Sequence, residues 1–184
     1  MENRRDEFDE LRSRAIQRLE NPSLLPNSDN LKHFRPVLRL WNYPAFGNDT
    51  AWVFYKPLPQ VNSQAPALIK KAVWNKKADQ ERFLQPMTGL KEGFHLTPTF
   101  DTASAEIDRP ILSGLCESLS KIVIPPFVED ERIGVDGEHF GIETLGAFHS
   151  AKISWWSTFP EEWKEINQWF EITVKFAEEQ FRSR

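Results

Sequence analysis

The stretch 132-RIGVDGEHFGIETLGAFHSAKISWWSTFPEEW-163 decides the fold. A two-residue loop at Asp136-Gly137 suits a type I′ turn, which needs positive φ at both central positions; Asp tolerates that and Gly prefers it. A turn there pairs Val135 with Glu138 and Ile133 with Phe140. A second turn near Leu145-Gly146 brings Phe148 to Trp156 back alongside, so the stretch reads as a three-stranded meander. Side chains alternate along a strand, which puts Ile133, Val135, Phe140, Ile142, Ala151, Ile153 and Trp155 on one apolar face. The opposite face carries Arg132, Gly134, His139, Gly141, Lys152, Ser154 and Trp156. Glycines weaken a strand unless another group comes close to the backbone there. A Trp beside a His, a Lys and an Arg makes a contact patch, so Arg132, His139, Lys152, Ser154 and Trp156 are the candidate partner-binding residues. The plainer expectation is that another segment of the same chain covers this face, as in most layered domains.

The meander feeds a helix over 159–182. Thr158-Phe159-Pro160-Glu161 fits a capping box, and Pro160 suits a first turn, where a missing N–H is no loss. Trp163, Ile166, Phe170, Val174, Ala177 and Phe181 form a stripe at three- and four-residue steps, widened by Trp169, Ile172 and Phe176. The DG turn at Asp136-Gly137, the aromatic Phe140, the pair Trp155-Trp156 and the P-x-x-W of Pro160 and Trp163 together resemble the C-terminal part of many small bacterial proteins of unknown function. Some of those are suspected partners or immunity proteins of secreted toxins. The resemblance covers the last third of the chain and implies a protein partner. It carries no catalytic residue, and its motif residues also serve as turn, core aromatic and helix start.

Upstream, Arg4–Glu20 reads as a helix with a narrow stripe of Phe8, Leu11, Ala15 and Leu19, stopped by Asn21-Pro22. A narrow stripe implies shallow docking, so residues 1–22 are expected as a loosely docked helix within a single domain of 1–184. Strands are expected at Phe34–Tyr43, Thr50–Lys56 and Ala67–Asn75, joined by short connections that favour antiparallel pairing. Lys70-Lys71 puts a charge on each face of the third, which suits an edge strand. Lys76–Gln85 reads as a short helix. Phe94–Phe100 alternates, but Pro98 demotes it to an edge or an extended loop, and Thr102–Glu106 is small and polar enough to read as loop. Asp108–Ile122 is a helix with Asp108 as N-cap, Pro110 in the first turn and a buried stripe of Ile111, Leu115, Leu119 and Ile122. Ile107 and Leu112 suit a hydrophobic staple at its start. The fold class is therefore α+β: a largely antiparallel sheet with helices 108–122 and 159–182 packed on it.

Composition narrows function mostly by exclusion. The 184 residues carry a net charge of −4, which argues against a nucleic-acid partner. No apolar run approaches a bilayer span, and the polar start MENRRDEFDE lacks the apolar core of a signal peptide. A single cysteine, Cys116, rules out an intrachain disulfide, so a reducing cytoplasm is the expected compartment. The four histidines (His33, His95, His139, His149) show no metal-ligand spacing, and no phosphate-binding loop or nucleophile elbow is present, so no metal or cofactor is expected. Cys116 lies mid-helix with nothing basic placed by the sequence to activate it. The carboxylate pairs Glu138/Glu143 and Asp101/Glu106 are spaced no differently from solvated surface. A sugar platform would need two or three exposed tryptophans side by side. The leading expectation is a non-catalytic cytoplasmic interaction protein, of the toxin-immunity kind, with another protein as partner. The alternative is a small enzyme, or a ligand- or sugar-binding module, with a pocket between sheet and helices.

Overall fold

The computed structural model describes residues 2–26, 31–60, 65–84, 96–126, 128, 137–146, 148–157 and 159–182, with side chains from Glu7 onward. Among them are helices α1 (Glu2–Glu20), α2 (Lys76–Leu84), α3 (Arg109–Ser120) and α4 (Lys164–Arg182). The strands are β1 (Phe34–Pro44), β2 (Thr50–Pro57), β3 (Ala67–Trp74), β4 (Phe100–Ile107), β5 (Glu138–Leu145) and β6 (Ser150–Trp156). All six form one antiparallel sheet in the order β4-β3-β2-β1-β5-β6, so the α+β class holds. β1 to β4 run as a meander. The chain then crosses the sheet through α3 and adds the β5–β6 hairpin on the free side of β1.

The alternation read from the sequence sorts the side chains onto two faces. One face buries Leu38, Leu40, Trp52, Phe54, Ile69, Ile107, Ile142 and Trp155 beneath α3 and α4. The other buries Trp41, Tyr43, Val53, Tyr55, Ala72 and Trp74 beneath Leu11, Ala15 and Leu19 of α1. Helices on both faces leave neither side of the central strands open, which is why β2 reads as an almost unbroken apolar run.

Several expectations change. The third meander strand, from Arg132 to Val135, lies outside the described residues, as does Asp136. Both edges of β5 are already taken, by β1 and β6, so β5 has no edge left for a hairpin partner across Asp136-Gly137. Gly137 instead closes against the end of β6, where an added Cβ would stand 1.8 Å from the Ser157 hydroxyl oxygen. β3 is no edge strand: β2 and β4 flank it. Its lysines have internal partners, Lys70 donating to the Pro26 carbonyl and Lys71 to Glu178 of α4. The edges are β4 and β6, and β4 includes Thr102–Glu106, whose small polar residues read as loop.

Helix α3 buries Leu112 while Ile111 is exposed, and Leu115, Leu119 and Ile122 of the expected stripe pack on the core; Asp108 occupies the N-cap position without a side-chain capping bond. In α4 the buried face includes Asn167 and Thr173, whereas Ile172 is 66% exposed. Polar residues enter there because each is satisfied within the helix, Asn167 by Glu171 and Thr173 by the Trp169 carbonyl. Thr158 lies outside the described residues. The helix is entered through a 3-10 turn at Glu161–Trp163 with Pro160 at the cap and no side-chain cap bond.

Candidate functional site

The two faces of the β5–β6 hairpin offer two different surfaces. On the α1 side the register stacks three cross-strand rows: Tyr43–His139–Trp156, Trp41–Gly141–Ser154 and Arg39–Glu143–Lys152. Four of the five sequence-predicted partner residues, His139, Lys152, Ser154 and Trp156, therefore share one face; Arg132 lies outside the described residues. The glycine in the middle row has a specific cause. The Trp41 ring lies on Gly141 so closely that a Cβ there would stand 1.9 Å from Cζ2. Trp41 is itself capped by the Arg39 guanidinium, 4.6 Å from its ring centroid, and by the Lys152 ammonium at 5.2 Å.

Much of this face is thus covered from within. Arg39 is buried, forms an ion pair with Glu143 at 2.7 Å, and donates to the Leu19 carbonyl at the end of α1. Lys152 reaches Glu20 of α1 at 2.7 Å. What stays open is the margin along β6, with Trp156 42% exposed beside half-buried His139. Burial, then the Lys152 charge, holds the His139 imidazole below its usual range, with Glu20 opposing. Trp156 is the one tryptophan among the exposed large hydrophobics, so no paired platform for a sugar ring is formed.

Deeper under α1 lies a set of charges that the sequence did not flag. Asp49 is fully buried, with neither carboxylate oxygen hydrogen-bonded among the described residues and the Arg12 guanidinium at 4.0 Å. Burial pushes the Asp49 carboxyl up, against the pull of Lys76 and Arg12. Desolvation likewise pushes Lys76 and Lys70 down and the Tyr43 phenol up. Perturbed groups of this kind mark either active sites or structural ion networks. Here Lys70 donates to the Pro26 carbonyl and Lys76 to the Ala45 carbonyl, which fits a structural role.

On the other side, the hairpin walls a pocket of about 400 Å³. Its floor is Leu38, Ile142 and Ile166, all buried. Its sides are Val37, Cys116, Leu119, Ile122, Ile124 and Ile153, and its mouth is formed by exposed Ser120, Gly146, His149 and Ala151. The volume falls within the range of small-molecule sites. The pocket exists because the outer wall stands off the hairpin. Trp169 Nε1 donates to Ser118 Oγ at 2.9 Å, which ties α3 to α4, and Trp163 Nε1 donates to the Pro125 carbonyl at 3.1 Å, which ties the segment after α3 to the 3-10 turn that enters α4. The hairpin side contributes short Ala151 where a larger residue would close the gap. Cys116 is half-buried in the wall; burial pushes its thiol up and the Lys56 charge partly offsets this.

A second cavity, of about 340 Å³, lies beside the end of α1 and includes Tyr55, whose buried hydroxyl has no hydrogen-bond partner among the described residues. Neither carboxylate pair noted in the sequence converges. Glu138 and Glu143 project from opposite faces of β5, and Asp101 and Glu106 from opposite faces of β4. His139 and His149 are separated by the sheet, as the alternation implied, and His95 lies outside the described residues. Among the described residues no group of three or more His, Cys, Asp or Glu could hold a metal ion, and no helix is long and apolar enough to cross a membrane. No protein-family model, no curated protein and no solved structure matches the chain.

Proposed function

We propose that this chain is a non-catalytic binding protein whose pocket between the sheet and α3 takes a small apolar ligand. The observation that carries this reading is the shape and chemistry of the cavity: about 400 Å³, with a buried aliphatic floor and a mouth of small or polar residues. Such a cavity favours apolar molecules because every buried methylene adds roughly 0.8 kcal/mol of transfer free energy. The chain's single cysteine lies in the wall and reports occupancy directly. A panel of apolar small molecules of varied shape should include at least one that raises the unfolding temperature and slows alkylation of Cys116. The thiol reaction is run at mildly alkaline pH because burial raises the thiol. If every compound that stabilises the protein leaves the alkylation rate unchanged, the pocket is not the binding site.

A second reading is an interaction protein of the toxin-immunity kind that docks a protein partner along β6. Its support is the exposure of Trp156 on an edge strand, beside His139, Ser154 and Lys152. Changing Trp156 and His139 together to alanine should weaken any partner recovered with the purified protein. Undiminished binding would end that reading.

A further inference from the structure

We infer that the ligand of this pocket is a single unbranched alkyl chain whose polar head group sits at His149; the inference rests on the pocket reading above. The first ground is what the walls lack. Among the described residues no Phe or Trp lines this cavity, although the chain holds fourteen Phe and seven Trp. Flat ring systems are held by stacking on aromatic faces. Here the surfaces on offer are the branched aliphatic side chains of Leu38, Leu119, Ile142, Ile153 and Ile166. Those suit methylene groups, which need only dispersion contact and exclusion of water.

The second ground is where hydrogen-bonding capacity remains. Thr144 and Ser120 also line the pocket, and each hydroxyl already holds one hydrogen bond within the protein. Thr144 Oγ1 accepts from the Ala151 N–H, and Ser120 donates to the Glu117 carbonyl. The His149 imidazole has no partner among the described residues. It is held at the mouth by the β5–β6 turn, where the Gly146 N–H donates to the His149 carbonyl at 3.0 Å. A Cβ at Gly146 would stand 2.4 Å from that carbonyl oxygen, so the Gly146 and His149 backbones lie in close contact beside the opening. A ligand with its chain on the Ile142–Ile166 floor and a hydrogen-bonding head at the exposed mouth satisfies both ends.

The test uses the full chain and the rate of Cys116 alkylation by iodoacetamide, with unbranched carboxylates from butanoate to dodecanoate held below their micellar concentrations. Protection should tighten about fourfold per added methylene and level off once the cavity is full. Adamantane carboxylate and naphthoate, compact and flat, should protect far less than the unbranched acid of equal carbon number. If the ring compounds protect and the chains do not, this inference fails while the pocket reading stands. If neither class protects, both fail. Ala151→Trp, on the exposed edge strand, should abolish protection while leaving cooperative unfolding intact; a variant protected as well as wild type would place binding elsewhere and overturn the inference. His149→Ala should weaken every carboxylate roughly fivefold and leave the step per methylene unchanged. Unchanged affinity in that variant would overturn the placement of the head group.

Discussion

Gly141→Ala is the sharpest test of the α1-side packing, because the structure fixes both the sign and the scale of its effect. A Cβ at Gly141 would meet Trp41 at 1.9 Å from Cζ2, 2.4 Å from Cε2 and 2.5 Å from Cη2. Comfortable carbon–carbon contact is about 3.5–4.0 Å, so the indole or the strand must move by more than an ångström. The indole has little room: Trp41 is fully buried, with Arg39 and Lys152 over its ring. Overpacking of this kind costs about 1–3 kcal/mol, and a rigid neighbour on a central strand puts this site at the upper end. Alanine recovers roughly 0.5–1 kcal/mol of backbone entropy. The net expectation is a loss of about 2 kcal/mol, which for a chain of this length lowers the unfolding temperature by about 4–8 °C. Urea and thermal denaturation measure it. The double mutant with Trp41→Ala should recover most of the Gly141→Ala cost, because the clash is gone. A Gly141→Ala protein as stable as wild type, or more so, would refute the placement of Trp41 on that backbone.

Glu178→Ala should cost about 1–3 kcal/mol in urea denaturation, since one carboxylate takes Trp52 Nε1 at 2.7 Å and Lys71 Nζ at 2.8 Å and so ties α4 to β2 and β3. Ile172→Glu should change stability by no more than about 0.5 kcal/mol, whereas Ile166→Ala should cost about 2–5 kcal/mol, because the first side chain is solvent-exposed and the second is on the pocket floor. His139 is held below its ordinary pKa in the folded protein, so as pH falls the unfolded chain takes up the proton first. Stability should therefore drop as pH falls below about 6.5 and stop dropping below the folded value. His139→Gln should flatten that limb, and an identical pH profile for the two proteins would refute the assignment. Glu143→Ala should cost about 3 kcal/mol, because it leaves the buried Arg39 guanidinium without its carboxylate; a loss under about 1 kcal/mol would mean that the Leu19 carbonyl alone satisfies it.

The parts of the fold that were legible in the sequence are those whose signal is local. β1, β2 and β3 show as runs of Val, Leu, Ile, Trp, Phe and Tyr, and their ends fall within a residue of those read from composition. The division of the β5–β6 hairpin into two faces follows from alternation alone, and the structure pairs His139 with Trp156 and Phe140 with Trp155 accordingly. β4 was not legible because half of its side chains face solvent and its residues are small, so propensity favoured a loop. β3 was misread for a different reason. A lysine on each face signals an edge only when neither finds a partner inside, and the partners, Pro26 and Glu178, come from opposite ends of the chain. In α3 the stripe held at Leu115, Leu119 and Ile122, which pack on the core, and failed only at Ile111, where Leu112 enters the core instead. The pocket could be foreseen only as a space between sheet and helices. Its lining comes from β1, α3, the segment after α3, the β5–β6 hairpin and α4, and no spacing along the chain links them.

The sheet separates what must be closed from what stays open. On the α1 face Asp49, Lys70 and Arg39 are buried, and Lys70 and Arg39 regain through tertiary partners the hydrogen bonds that hydration would supply. Such a face tolerates little change, since removing one partner strands another charge. Beneath α3 the described pocket lining is largely aliphatic, with small Ala151 and Gly146 on the hairpin side, and the outer wall is held by one indole N–H bond from α4 and one from the 3-10 turn before it. An apolar gap forgoes dispersion contacts and so carries a stability cost unless something fills it. That cost is the physical argument for a ligand. It also separates the two proposed binding surfaces, because Trp156 and His139 lie on one side of the sheet and Cys116 and His149 on the other. Substitutions at Trp156 should alter partner binding without changing the protection of Cys116, and Ala151→Trp should do the reverse.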